Sequence, residues 1–174
     1  MRTHPRTALG ALMVVVLLLS GSSPAPAASP EDRGEWPTWE WPLQMARAVA
    51  VPYRAPAHEY GAGHRGIDIS ATLGVAVYAP ADGIVAFRGR VVDRALLTIE
   101  HPDGLVTTFE PLISDLDAGD RVSAGQEIGV VDVGGHASPG SLHLGVRSSG
   151  AYINPLLLFG EVPRAILLPC CGSF

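Results

Sequence analysis

This sequence predicts an all-β domain, compact and sandwich- or barrel-like, on three observations. Twenty glycines and 15 prolines against only 6% aromatic residues place turn formers at close intervals. From Gly66 onward, short β-branched or alternating apolar runs sit between those turns. Beyond the amino-terminal apolar run, no stretch carries the 3.6-residue period of an amphipathic helix, and residues 43–51 hold the one expected helical turn.

The elements follow in order. Residues 67–70 and 75–79 read as strands. The Asp82-Gly83 turn leads into a third at 84–90, and residues 95–100 form a fourth. His101-Pro102-Asp103-Gly104 is a turn opened by proline and closed by glycine, so residues 105–109 return as a hairpin. Residues 127–133 are apolar and β-branched, 134–140 form a loop, 142–147 make another strand, and a short closing segment starts at Pro155.

The apolar start does not belong to this domain. Arg2 and Arg6 precede an apolar run over residues 8–20, and Ala25-Pro26-Ala27 offers an A-x-A cleavage site. Residues 1–27 are therefore expected to be a secretory signal peptide. The run is shorter than the roughly 20 apolar residues of a membrane span, so no stable span is expected after cleavage. Residues 28–40 then read as a linker, 41–160 as one domain and 161–174 as a tail. Cys170 and Cys171 are neighbours in that tail, where a mutual disulfide is strained; intermolecular pairing is the alternative to no role.

Charge removes several function classes. The net charge is −5, with 12 basic against 17 acidic residues, which argues against nucleic acid as a partner. All the basic residues are arginine, so no lysine can carry biotin, lipoate or a Schiff base. Loss of residues 1–27 removes two arginines and no acid, which takes the net charge to −7.

The residues able to carry chemistry are His64, Asp68 and His143. His64 and Asp68 are four apart in an extended segment, and that even spacing puts both on one face. His143 alternates with Leu142 and Leu144 on a predicted strand. Two imidazoles and a carboxylate make a three-ligand zinc site with a fourth position open to water. The spacing alone is also what chance supplies in a chain with five histidines after residue 27.

The segments around these residues narrow the choice. His64-Arg65-Gly66-Ile67-Asp68, then Val77 through Val85, then Ala118 through Gly129, then Leu142-His143 and Asn154-Pro155-Leu156 follow one another at characteristic separations. In order and spacing they resemble the LytM/lysostaphin-type zinc metallopeptidases, over about residues 41–160. The stretch Gly119-Asp120 to Ile128-Gly129 also resembles biotinyl and lipoyl carrier domains, which need the lysine this chain lacks. The resemblance implies a barrel-like duplicated hybrid motif whose groove binds peptidoglycan peptides, with zinc on His64, Asp68 and His143. It also implies two further histidines for proton handling, one in a Y-A-H-L motif and one opening H-x-H.

Both are replaced. Thr108-Phe109-Glu110-Pro111-Leu112 stands at the first motif, with Pro111 in the place of its histidine, and Ser141 opens the second. Neither proline nor a serine hydroxyl is a base at neutral pH. Glu110, His136 and Ser141 are the candidates to act instead. Alternation points Glu110 to the face opposite Pro111, unless the proline ends the strand. His58, Glu59, Tyr53 and Tyr60 are candidates to border a groove, and His101 reads as a solvated hairpin-tip residue. The expected function is an exported, cell-wall-associated zinc endopeptidase acting on peptidoglycan. The alternative is a degenerate member that binds peptidoglycan or regulates another cell-wall hydrolase.

Overall fold

A computed structural model describes residues 36–135 and 138–160. The expected signal peptide, the tail with its two cysteines, and His136 lie outside these residues. Among the described residues eleven strands form and there is no α-helix. They are β1 (Val49–Val51), β2 (Gly66–Ser70), β3 (Ala76–Tyr78), β4 (Gly83–Val91), β5 (Arg94–Glu100) and β6 (Leu105–Glu110). There follow β7 (Leu112–Ile113), β8 (Arg121–Val122), β9 (Glu127–Val131), β10 (Ser141–Ser148) and β11 (Ala151–Ile153), with a 3-10 turn at Pro155–Leu157. The helical turn expected over residues 43–51 is instead a bend followed by β1. Val49 and Val51 are β-branched and pair with β2, an edge contact that outweighs a short helical preference.

The large sheet runs β1-β2-β10-β6-β5-β4-β8, with each neighbouring pair antiparallel. β10 is long enough to pair β2 along its first half and β11 along its second, while β6 covers the other edge. A second, three-stranded sheet, β3-β9-β7, shares one hydrophobic cluster with the first. Pro111 marks where the chain leaves β6 for the second sheet, since proline cannot donate to a continuing ladder.

Alternation sorts the central strands into two faces. Ile67 and Ile69 on β2, Leu142, Leu144 and Val146 on β10, Phe109 on β6, and Leu97 and Ile99 on β5 point into the core and are fully buried. Burial of each such side chain stabilises the fold by about 1.5–3 kcal/mol relative to exposure. The intervening residues, Asp68, His143, Gly145, Arg147, Thr108, Glu110 and Thr98, share the opposite face, because the ladders set Asp68 beside His143, His143 beside Glu110, and Thr108 beside Gly145 and Thr98.

Two expectations change. The core reaches back into the expected linker: Trp39 is 4% exposed, and its backbone N–H donates to Leu158 O at 2.8 Å. His101 is not solvated but 5% exposed beneath the β5–β6 hairpin, with its ring 4.6 Å from that of Trp39. The turn after it forms as expected, Gly104 adopting φ +76° and donating to His101 O at 3.0 Å.

Candidate metal centre

His64 sits just before β2, where its backbone exchanges two hydrogen bonds with Arg54. Asp68 and His143 are directly opposite each other on β2 and β10. One donor atom from each of the three residues lies within 4.8 Å of the others. The triangle is tight: His64 Nε2 is 3.1 Å from Asp68 Oδ1 and 3.2 Å from His143 Nδ1, and the last two are 2.8 Å apart.

That triangle has a surplus of acceptors. His64 Nδ1 lies 2.9 Å from Pro52 O, a carbonyl that can only accept, so the proton of a neutral ring belongs on Nδ1. Nε2 then presents a lone pair to a carboxylate oxygen and a second imidazole nitrogen. One proton cannot bridge all three atoms, whereas a cation can. Tetrahedral ligands at zinc's usual bond lengths stand about 3.3 Å from one another, close to these separations. The backbone carbonyl behind His64 is also the outer partner that orients metal-bound histidines. The donor set therefore fits zinc.

Room for His143 depends on Gly66. A Cβ there would lie 2.3 Å from Leu144 O and 2.7 Å from the His143 ring, so no larger residue fits without displacing the imidazole. The centre opens on a groove of about 500 Å³ lined by His64, His143, Glu110, Arg94, Thr108 and Arg147, among others.

Glu110 faces this groove. It is opposite His143 across the β6–β10 ladder and 7% exposed, and Arg94 Nε donates to its Oε2 at 2.8 Å. That hydrogen bond is the main reason the Arg94 guanidinium is held above its ordinary pKa, burial opposing it. Pro111, the expected stand-in for a histidine, points the other way and lines a small cavity with Asp132 and Gly134. Glu110 and Pro111 do point to opposite faces, as alternation predicts, but it is Glu110, not the residue in the place of the motif's histidine, that faces the metal centre. Only the pairing of β6 with β10 decides which face is which. Ser141 shares the β10 face of His143, yet its hydroxyl donates to Ser138 O at 2.6 Å. His58, Glu59, Tyr53 and Tyr60 line an adjoining pocket of about 690 Å³.

Arg94, Arg147 and Tyr152 were not singled out from sequence. Arg147 was legible as the next-but-one residue after Gly145 on the His143 face. Arg94 was not, because only the fold brings the start of β5 beside Glu110.

The sequence pattern of peptidase family M23 matches residues 62–155. The chain belongs to peptidase family M23. The match contains every residue of the donor triangle and Glu110. This M23 domain is 33% identical over 156 residues to the uncharacterised protein Rv2891 of Mycobacterium tuberculosis, covering 86% of this chain but 61% of that protein. It is 34% identical over 102 residues to the DD-carboxypeptidase/endopeptidase Mpg of Neisseria gonorrhoeae, covering 58% of this chain and 24% of that one. Among solved structures, a zinc-containing peptidase of Vibrio cholerae superimposes with a TM-score of 0.59 at 22% identity, over 71% of this chain and 40% of that one. The last likeness is one of fold.

Proposed function

We propose that this M23 domain is an exported zinc metalloendopeptidase acting on peptidoglycan peptides. The observation that carries the reading is the convergence of His64, Asp68 and His143 at the floor of an open groove, with the Glu110 carboxylate on the next strand. Zinc held by those three residues would supply Lewis acidity and a bound water of lowered pKa. Pro52 O holds the His64 ring with Nε2 turned inward, and the β2–β10 ladder holds Asp68 beside His143. Glu110 takes the proton of the attacking water and returns it to the leaving amine. Arg94 directs that carboxylate, so the group is aimed before substrate arrives. A positioned acid–base group contributes about 10²- to 10⁴-fold to rate. His136 and Ser141 remain the other candidates for proton handling. Residues 1–27 would be removed on export, which leaves residues 41–160 as the acting domain at the cell wall.

A second reading keeps the metal but not the turnover: a chain that binds peptidoglycan or regulates another cell-wall hydrolase. It is favoured by the commitments of Glu110 to Arg94 and of Ser141 to Ser138. Incubation of the zinc-loaded chain with purified peptidoglycan, followed by mass analysis of released peptides, separates the two. Steady release abolished by a chelator is the expected result. Co-sedimentation with the wall and no new peptide ends would overturn the enzyme reading.

A further inference from the structure

The groove continues past the metal centre into the adjoining pocket, and Arg65, Arg147 and Tyr152 line both. The far pocket is walled by Tyr53, Tyr60, Tyr152 and Pro56, with His58 and Glu59 also in its lining. At the junction stand two guanidinium groups. Arg147 lies against the Tyr152 ring, 5.9 Å from its centroid. Arg65 donates to the Glu59 and Gly61 carbonyls at 2.7 and 3.1 Å, contacts that fix its direction without neutralising it. Among the described residues neither meets a carboxylate, although acids outnumber arginines 17 to 12 in the chain. Arg94, the third arginine of the groove, is paired with Glu110.

Two cations without an acidic partner, beside a cleft and held by a ring and by carbonyls, form a receptor for an anion. Resting on the peptidase reading above, we infer that Arg147 and Arg65 bind a carboxylate of the substrate peptide and so select for acidic peptides. The spacing sets its place. His143, Gly145 and Arg147 follow one another on one face of β10, and Arg147 is four residues, about 13 Å, beyond the metal-facing histidine. An extended peptide rises at nearly the same rate, so the carboxylate sits within about four residues of the bond over the metal centre. Gly145, without a side chain, keeps the floor between the two points open.

The test is binding, read separately from hydrolysis. A cross-linked peptide dimer released from purified peptidoglycan is titrated into the zinc-loaded chain by calorimetry, once with its carboxylates free and once converted to carboxamides. The free acid is expected to bind about 10- to 100-fold more tightly, as for a charged hydrogen-bonded contact. In Arg147→Gln that preference should shrink to what Arg65 alone supplies, and Arg147→Lys should keep more of it. Equal binding of acid and amide by the parent, or a preference undiminished in Arg147→Gln, would overturn the subsite alone. No binding of either peptide would defeat the peptidase reading of the groove and the subsite with it.

Discussion

His101 and His143 are buried to the same degree, 5% and 6% exposed, yet their surroundings ask opposite things of an imidazole. His101 Nδ1 lies 2.8 Å from Asp82 O, and Nε2 lies 3.0 Å from the Thr107 hydroxyl. A neutral ring satisfies both: it donates to the carbonyl and accepts from the hydroxyl. Burial accordingly pulls its pKa below the ordinary value, with the Asp82 hydrogen bond opposing. At His143, Nδ1 faces the Asp68 carboxylate and His64 Nε2 together, and with the proton of a neutral His64 ring on its own Nδ1 a single proton is left among the three facing atoms. Burial by itself thus says nothing about function. What distinguishes a packing histidine from a ligand is whether its ring meets matched donors and acceptors or converges with other metal-ligating atoms.

The largest expected effect separates the two directly. His143→Ala should lower zinc affinity by more than about 100-fold, beyond the 10- to 100-fold typical of changes to outer partners. His101→Gln should leave zinc at one equivalent after dialysis against trace metal. Equal loss in both variants would erase the distinction.

Glu110→Gln comes next. Zinc content should hold while peptide release from peptidoglycan falls by about 10²- to 10⁴-fold. A variant as fast as the parent would move the proton-handling role to His136 or to solvent.

The third effect is on stability. His101→Gln should cost about 1–3 kcal/mol at pH 8, as for a disturbed pair of buried hydrogen bonds, read from urea midpoints of zinc-free protein. Because the folded-state pKa of His101 is depressed, its contribution is fully present above the unfolded value of about 6.5. Below that, the unfolded chain binds the proton first, so the contribution is lost as pH falls toward the folded value. The gap between parent and variant should therefore narrow on acidification. A gap that widens would mean that the buried ring is protonated.

The smallest effect is expected from Ser141→His, a gain in hydrolysis of at most about tenfold, well short of a full acid–base contribution. Position 141 shares the His143 face, but it is 3% exposed, and a larger side chain must displace the Ser138 contact. No gain in a folded, zinc-loaded protein would mean that loss of histidine at 141 does not limit the chemistry.

Sequence alone determined the strands from β2 to β6, β9 and β10, because alternation and turn chemistry are local signals that need no distant partner. It missed β1, β7, β8 and β11, each only two or three residues long, because such strands exist through the neighbour they pair with rather than through their own propensity. The donor residues His64, Asp68 and His143 were legible from spacing and resemblance. Only the tertiary structure decided that Glu110 rather than Pro111 faces them, that Arg94 holds Glu110, that His101 is sealed under Trp39, and that Arg65 and Arg147 meet at one junction. Each of these depends on the register between segments far apart in the chain. A shift of one residue in that register would reverse every face, and nothing local to β6 or β10 encodes it.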